Sequence, residues 1–388
     1  MEDAVSIIVI ALAAFLLPFI ADHFRVPAIV LEIVFGIVVG PSLLGLIHSS
    51  EVFAFLAELG FFLLMFLSGF EIDLHQMERQ GKIQIFTALA VFGLTLFLAN
   101  LSAGILGYGP FMTLLLATTS VGLVVPTLRT TGMSGSSLGQ SILMSALAAD
   151  FLTLVAAAIF AMVTEHGVGW HLLNFPVLFL VIAMVLLALR RFAWWYPEKV
   201  ERMFARDDPE EIGIRACLAL MFVFVGLSYP LKVEPILGAF LAGTVFALVF
   251  RHRGHLEQKM SGFSFGFLVP IFFIHVGVEF DLRALMEPGV LLAALKLLVA
   301  AVLVKLLAAS VLLLRGQSPR NVLAAGVLLS TRMSLVIAMA ELGTRLGLLD
   351  RTLEAQIILL AVVTAVVAPI LFRMLVSRPL PDRAGTQS

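Results

Sequence analysis

The sequence predicts an all-α polytopic membrane protein, in which thirteen transmembrane helices form two inverted six-helix repeats on either side of a connecting helix. Two observations support this prediction. First, 61% of the 388 residues are hydrophobic and only 13% are charged, which is more apolar surface than the core of a soluble protein of this length needs. Second, several motifs of the first half return in the same order in the second half, as expected of a duplicated membrane domain.

The clearest repeat is Gly-x-Glu-x-Asp-Leu, which closes one apolar segment from Gly69 and another from Gly277, 208 residues later. Two further pairs keep nearly the same offset, and three matches in one order favour duplication over coincidence. These pairs are Pro27…Gly36 with Pro235…Gly243, and Thr118-Thr119-Ser120 with Ser330-Thr331.

Thirteen apolar runs are each long enough to cross the roughly 30 Å hydrocarbon layer of a bilayer. Six lie in the first repeat, residues 4–163, and six lie in the second, residues 213–376. The odd number of spans between the repeats inverts the second copy. The predicted spans are Ala4–Phe24, Pro27–Ile47, Val52–Ile72, Gln84–Leu106, Pro110–Thr131, Leu138–Val163, Leu172–Leu189, Gly213–Tyr229, Val233–Phe250, Phe263–Phe280, Val290–Leu314, Asn321–Gly343 and Leu353–Val376.

The basic residues predict the orientation. With the N-terminus outside, eighteen Lys and Arg residues fall on cytoplasmic ends and loops and four fall on the outer side. Cytoplasmic loops are the ones enriched in Lys and Arg, so we expect the N-terminus outside and the C-terminus in the cytoplasm. The first span lacks a basic leader and a small-residue cleavage site, which predicts a retained helix of the inner membrane.

The connecting region, residues 172–211, combines the seventh span with a polar stretch from Arg190 to Glu211. Aromatic residues beside basic ones in this stretch predict an interfacial helix on the cytoplasmic side. Residues 377–388 form a short cytoplasmic tail, which leaves a separate cytoplasmic subunit as a candidate regulatory partner.

Polar residues from four spans reach the predicted centre of the bilayer. Asp150 comes about 18 Å into its helix at 1.5 Å per residue, and Lys305, Arg332 and the Thr119-Ser120 pair come to a similar depth. A charge in hydrocarbon costs at least about 2.5–3.5 kcal/mol, so we expect these residues to have a function. A single carboxylate can hold a proton or a monovalent cation but not both. Competition between a proton and a cation for Asp150 would therefore couple their movements, and the result would be exchange.

Two of these spans carry sequences that predict broken helices. Thr118-Thr119-Ser120-Val121-Gly122 precedes Pro126, and Ser330-Thr331-Arg332-Met333-Ser334 mixes polar and flexible residues. A broken helix frees backbone carbonyls to ligate a cation, and its two ends favour opposite charges, so Arg332 would complement a helix end. The candidate cation and proton ligands are Asp150, Thr118, Thr119 and Ser120, the neighbouring charges are Lys305 and Arg332, and the second break contains Ser330, Thr331 and Ser334.

These candidates also have structural interpretations. Lys305 could extend towards the membrane interface, Arg332 could hold neighbouring helices together, and the Thr119 and Ser120 hydroxyls could serve helix packing. Asp150 lacks a stem long enough to reach the interface, so a functional role is favoured there.

Five segments together resemble a known family across essentially the whole chain. They are Pro27…Glu32…Gly36…Gly40-Pro41-Ser42-Leu43-Leu44-Gly45, Phe66-Leu67-Ser68-Gly69-Phe70-Glu71-Ile72-Asp73, Thr118-Thr119-Ser120, Asp150 and Phe272-Phe273-Ile274-His275-Val276-Gly277. On these segments the chain resembles the monovalent cation:proton antiporter family 2, which includes Kef-type potassium efflux systems and bacterial sodium/proton antiporters.

The resemblance implies the thirteen-helix sodium/proton antiporter fold, with crossed broken helices at the two hydroxyl clusters. It also implies a homodimer that works by elevator-type alternating access. The ion-binding carboxylate of the family maps onto Asp150, and its lysine maps onto Lys305. Two positions depart from the family pattern: Ala149 replaces a polar residue before the essential Asp, and Met333-Ser334 replaces Gly-Glu after Arg332.

We therefore expect an inner-membrane antiporter that exchanges protons for Na⁺ or K⁺ at Asp150. Two alternatives stay open: a sodium-coupled symporter of an organic anion on the same architecture, and a membrane sensor or partner subunit that transports nothing. The net charge of −1 argues against a nucleic-acid partner. We find no phosphate-binding glycine loop, zinc-ligand spacing or Ser-His-Asp arrangement, so we expect neither a cofactor nor enzymatic activity.

Overall fold

The computed structural model describes residues 2–24, 26–70, 82–196, 198, 210–250 and 254–376. Within these ranges the chain is helical and has no strand, which confirms the all-α class. Three predicted features lie wholly or largely outside the described residues: positions 71–74 of the first Gly-x-Glu-x-Asp-Leu motif, most of the polar stretch after Trp195, and the tail at 377–388.

The helices follow the predicted spans closely. In chain order they are α1 (Glu2–Phe24), α2 (Ala28–Val39), α3 (Glu51–Phe70), α4 (Lys82–Leu106), α5 (Pro110–Ala117), α6 (Val121–Thr130), α7 (Ser137–His166), α8 (Asn174–Trp195), α9 (Ile212–Ser228), α10 (Pro235–Val249), α11 (Gly254–Phe263), α12 (Val269–Glu279), α13 (Leu282–Leu285), α14 (Val290–Ala308), α15 (Pro319–Leu329), α16 (Ser334–Arg345) and α17 (Arg351–Leu375). A π-helical turn at Ser264–Leu268 joins α11 to α12, and 3-10 turns occupy Trp170–Leu173 and Ala309–Arg315.

Nine helical segments in the described residues, one of which is α5 and α6 taken together, are long and apolar enough to cross a bilayer, and the pair α15 and α16, bent by 46°, could form a tenth span. The shorter apolar helices α2, α9 and α10 lie within three further predicted spans. Large apolar side chains such as Phe19, Phe86 and Leu291 are more than 60% exposed, as expected of surfaces that face lipid. The chain is thus a multi-pass membrane protein, and the total of thirteen spans stays a prediction.

Three segments differ in extent from the predicted spans, and one of them is the tenth span, which begins near His255 rather than at Phe263. The helix α2 ends at Val39, well before Ile47, because Gly40-Pro41 cannot continue it, and the chain then folds back so that the Ile47 amide donates to the Val39 carbonyl. The helix α8 continues through Arg190 to Trp195, where the Arg191 guanidinium lies 5.1 Å from the Trp195 ring centroid. The start of the predicted interfacial segment is therefore the end of the seventh span.

The chain forms two compact units, and each unit takes helices from both halves of the sequence. The first contains Met1–Gln76 and Leu154–Ala284, and the second contains Met77–Thr153 and Leu285–Ser388. Every residue of the predicted site lies in the second unit. The boundaries of these units therefore differ from those of the predicted repeats.

Glycines allow two very close helix crossings in the first unit. At the crossing of α2 and α12, a Cβ on Gly36 would overlap the Ile274 carbonyl oxygen, and a Cβ on Gly277 would overlap the Ile33 carbonyl oxygen. Since real Cβ atoms do not approach an oxygen so closely, only glycine fits at these two positions.

The crossing of α3 and α10 has the same design. A Cβ on Gly69 would overlap the Phe240 carbonyl oxygen, and a Cβ on Gly243 would overlap the Phe66 carbonyl oxygen. All four glycines at the two crossings belong to the motifs that recur in the sequence. The repeated motifs are therefore packing surfaces of the first unit.

A serine of the Gly-Pro-Ser motif connects two turns of the first unit. The Ser42 hydroxyl donates to the Phe280 carbonyl and accepts from the Leu282 amide at 3.2 Å. The turn after α2 thereby satisfies two backbone groups where the second Gly-x-Glu-x-Asp-Leu motif leaves α12.

The second unit packs α14 closely against α15, the first half of the second broken helix. A Cβ on Gly326 of α15 would lie 2.7 Å from the Leu306 Cα atom of α14, so glycine is needed here too. A small apolar cluster of Phe92, Ala117 and Ala149 joins α4, the end of α5 and α7. These contacts hold the ends of the broken helices close to Asp150 and Lys305.

We predict that Gly277→Ala lowers the melting temperature of the detergent-solubilised protein. The added methyl group would force α2 and α12 apart, which typically costs about 1–3 kcal/mol. The matched control is Gly226→Ala in α9, where a Cβ would meet no atom within 4 Å. Alanine favours the helix by up to about 1 kcal/mol over glycine, so the control should melt at or above the wild-type temperature. Equal melting of Gly277→Ala and wild type would contradict the proposed packing requirement.

Candidate functional site

The two predicted broken helices are confirmed, and their breaks touch. Helix α5 ends at Ala117 and α6 begins at Val121, while α15 ends at Leu329 and α16 begins at Ser334. The Ser120 amide donates to the Thr331 carbonyl at 2.9 Å, and the Thr119 hydroxyl donates to the Leu329 carbonyl at 3.2 Å. Four helix ends therefore meet in the middle of the second unit.

Hydroxyl side chains help to end the two helices that enter the crossing. The Thr118 hydroxyl donates to the Leu115 carbonyl of α5 at 2.8 Å. At the end of α15 the Ser330 hydroxyl donates to the Val327 carbonyl at 2.6 Å, and the Thr331 hydroxyl donates to the Leu328 carbonyl at 2.7 Å. Each hydroxyl contacts a carbonyl of the last helical turn, where the regular hydrogen-bond pattern stops.

Lys305 places its positive charge at the C-terminal end of α5. Its ammonium group donates to the Ala117 carbonyl at 2.6 Å and to the Thr119 hydroxyl at 2.8 Å, and the residue is 2% exposed. Carbonyls that end a helix carry partial negative charge, so an ammonium group is favourable there. The structure thus places the Lys305 ammonium group inside the crossing.

Arg332 bonds carbonyls of two helices and of the second break at once. One terminal guanidinium nitrogen donates to the Leu116 carbonyl of α5 at 2.6 Å and to the Ala301 carbonyl of α14 at 3.2 Å. The other donates to the Ser330 carbonyl, next to the end of α15, at 3.2 Å. The side chain is fully buried. As expected from its sequence position, Arg332 complements helix ends, and it also holds the two breaks against α14.

Asp150 meets the opposite kind of helix end. Its Oδ2 atom accepts a hydrogen bond from the Val121 amide at 3.3 Å, and Val121 is the first residue of α6. The N-terminus of a helix carries partial positive charge, which favours a carboxylate. The positive and negative side chains of the site thus each face the helix end of opposite sign.

The three hydroxyls of the first break have different surroundings. Those of Thr118 and Thr119 are engaged by backbone carbonyls, and Thr119 also accepts from Lys305. The Ser120 hydroxyl is buried and has no hydrogen-bond partner in the described part of the chain. Of the three predicted hydroxyl ligands, Ser120 is the one whose oxygen is most available to an ion.

Two further observations concern α7. Ala149 packs its methyl group against Phe92 and Ala117, so the position before Asp150 contributes packing. Thr153, one turn after Asp150, is fully buried, and sequence analysis did not single it out. Its spacing of three residues from Asp150 was the available signal, because such residues lie on the same helix face.

Ser334 begins α16 at the second break and is half-buried.

The chemistry available at this crossing suits a monovalent cation. Carboxylate and hydroxyl oxygens are hard ligands of the kind that alkali cations bind. Among the described residues no group of three or more His, Cys, Asp and Glu side chains could hold a metal ion.

Comparison with known proteins gives a consistent result. The family described as "sodium/hydrogen exchanger, transmembrane" matches residues 9–378. The putative Na⁺/H⁺ antiporter YjbQ of Bacillus subtilis is 33% identical over 96% of this chain, and the match spans 63% of YjbQ. The probable Na⁺/H⁺ antiporter 3 of Methanocaldococcus jannaschii is 26% identical over 92% of this chain and 93% of its own length.

A solved structure shows the fold. The sodium proton antiporter MjNhaP1 from Methanocaldococcus jannaschii superimposes with a TM-score of 0.67, at 17% sequence identity, over 96% of this chain and 97% of that one. The described helices with their crossed breaks thus form the fold of that antiporter. Because the family pattern spans residues 9–378, the chain belongs to the transmembrane sodium/hydrogen exchanger family.

Proposed function

We propose that the protein is a secondary active antiporter that exchanges protons for Na⁺ or K⁺, with Asp150 binding the proton and the cation in turn. The observation that carries this proposal is the Asp150 carboxylate at the N-terminal end of α6, within a crossing of broken helices. The family and the names of its antiporter members support exchange of Na⁺ and protons. The inclusion of K⁺ rests on the resemblance to Kef-type systems.

Competition at one carboxylate couples the two fluxes. An ionised Asp150 attracts a cation, whereas protonation removes the negative charge and with it most of that attraction. The partial positive charge of the α6 N-terminus faces this carboxylate and favours its negative charge. Loading a cation therefore requires loss of the proton, which is the coupling an antiporter needs.

We propose elevator-type alternating access, in which the second unit carries the ion as one body. All the named site residues lie in that unit, and Arg332 links α5, α14 and the second break by hydrogen bonds. A site held by so many contacts is better moved intact than rebuilt at each step.

The inverted six-helix repeats are also part of the proposal. In the repeated motifs Gly36 corresponds to Gly243, and Gly69 corresponds to Gly277. The Gly36–Gly277 crossing and the Gly69–Gly243 crossing are therefore the same contact, made once by each combination of the two halves. This relation supports repeats over residues 4–163 and 213–376. We further propose membership of the monovalent cation:proton antiporter family 2, a homodimer in the inner membrane with its N-terminus outside, and a separate cytoplasmic regulatory subunit.

We predict that Asp150→Asn abolishes exchange in proteoliposomes. Asparagine keeps the size and the hydrogen-bonding oxygen of the side chain but cannot bind a proton or carry a negative charge at working pH. Dissipation of an imposed pH gradient on adding Na⁺, K⁺ or Li⁺ is the measurement. Wild-type rates in folded Asp150→Asn would disprove the site assignment.

The control for this experiment is Asp350→Asn. Asp350 is exposed and its carboxylate accepts from the Leu353 amide at the start of α17, a capping role that asparagine also fills. Exchange should therefore be retained.

If wild type responds to no cation but takes up an organic anion with Na⁺, the symporter interpretation replaces ours. No transport of any kind by folded protein would favour the sensor interpretation.

We predict that Lys305→Gln lowers stability and slows exchange without abolishing it. The variant loses a charged donor to the Ala117 carbonyl and the Thr119 hydroxyl, which is worth about 2 kcal/mol, and the neutral amide cannot complement the α5 end as well. Thermal melting and exchange rate are the measurements. The matched control is Lys296→Gln on the exposed face of the same helix, which should leave both unchanged. Identical melting of the two variants would show that the buried contacts of Lys305 do not matter.

A further inference from the structure

Thr153 has an unusual environment for a buried threonine in a membrane helix. Its side chain is fully buried, and its hydroxyl has no hydrogen-bond partner among the residues that the structure describes. Several other buried threonines within helices of the second unit donate to the carbonyl four residues earlier in their own helix. Examples are Thr95 to Val91 at 2.7 Å, Thr127 to Leu123 at 2.7 Å and Thr364 to Leu360 at 2.8 Å.

The unpartnered Thr153 hydroxyl has a free-energy cost that needs an explanation. A buried hydroxyl without a partner loses its water and gains nothing in return, so it destabilises the fold. The carbonyl of Ala149 is the acceptor four residues earlier, yet Thr153 does not donate to it. The Thr153 oxygen is thereby left without a role in its own helix.

Thr153 lies on the same face of α7 as Asp150. Side chains three residues apart on a helix have Cβ atoms about 5–6 Å apart, which allows one small cation to contact oxygens from both. The Ser120 hydroxyl is the other buried oxygen without a described partner near this place. It precedes Val121, whose amide bonds the Asp150 carboxylate.

We propose that Thr153 is a ligand of the transported cation, together with Asp150 and Ser120. This inference rests on the proposed antiport function and names a further residue of the same site. A dehydrated alkali cation needs several oxygens in place of its water shell, and Ala149 has no side-chain oxygen to offer. Thr153 supplies the missing oxygen from the next turn of α7.

The proposal predicts different effects on the binding of the two transported ions. A proton needs only the carboxylate of Asp150, whereas the cation also needs the neutral oxygens around it. Removing the Thr153 hydroxyl should therefore weaken cation binding and leave proton binding at Asp150 in place. This difference distinguishes a ligand from a residue that only packs, because a packing defect would not act on one ion alone.

The test compares Thr153→Val, Thr153→Ser and the control Thr95→Val in proteoliposomes under an imposed pH gradient. Valine keeps the shape of threonine, serine keeps the hydroxyl, and Thr95→Val removes a hydroxyl that bonds its own helix. We expect Thr153→Val to raise the KM for Na⁺ or Li⁺ by about tenfold with kcat changed by less than about twofold, the size of effect that loss of one polar ligand gives. Thr153→Ser and Thr95→Val should keep the wild-type KM.

A second measurement does not depend on transport. A cation that binds the folded protein raises its melting temperature by an amount that grows with the logarithm of the ratio of cation concentration to Kd. Na⁺ and Li⁺ titrations should therefore stabilise wild type, and should stabilise Thr153→Val to the same extent only at about tenfold higher concentration. Thr153→Ala serves as the test variant in both measurements if Thr153→Val does not fold.

The outcomes separate this inference from the proposed function. If wild type exchanges cations and Thr153→Val has the wild-type KM and the wild-type cation stabilisation, Thr153 is not a ligand and antiport stands. If wild type does not exchange, but its stabilisation by Na⁺ is lost in Thr153→Val, the ligand assignment stands and antiport fails. A protein that neither exchanges nor is stabilised by any cation would overturn both.

Discussion

The structure of the site depends on one constraint, which is that four helix ends meet inside the hydrophobic part of the molecule. A backbone group without a hydrogen-bond partner is costly there because no bulk water can replace the missing bond. Lys305 and Arg332 donate to the last carbonyls of α5, and the Ser120 amide donates to the Thr331 carbonyl. The broken helices can exist in this place because these partners are built into the same unit.

This constraint divides the polar side chains by task. The two cationic side chains and most of the hydroxyls complete the helix ends, so their hydrogen bonds are used within the protein. Among the described residues the buried hydroxyls of Ser120 and Thr153 have no hydrogen-bond partner, and the Asp150 carboxylate supplies the negative charge that would meet an ion. A site of so few oxygens suits a single small ion, which agrees with the proposed competition between a proton and an alkali cation.

The first unit uses a different device. Its paired glycines let α2 approach α12 and let α3 approach α10 until backbone meets backbone. Because lipid tails are as apolar as the side chains, close packing rather than hydrophobic burial is what holds such helices together. The same motif glycines that mark the sequence repeat are the ones the packing needs, so the repeated pattern is also a repeated contact.

The sequence by itself determined the all-α membrane class, most helix bounds, both breaks and the presence of Asp150, Lys305 and Arg332 within apolar segments. The hydrophobicity of a segment and the cost of a charge within it depend only on the residues of that segment, so both can be recognised from the sequence. Only the tertiary structure decided that Thr119 bonds Lys305 while the Ser120 and Thr153 hydroxyls have no hydrogen-bond partner among the described residues, and that each compact unit combines both halves of the chain. A hydroxyl finds its partner on a neighbouring helix, and the position of that helix depends on packing between segments about 200 residues apart.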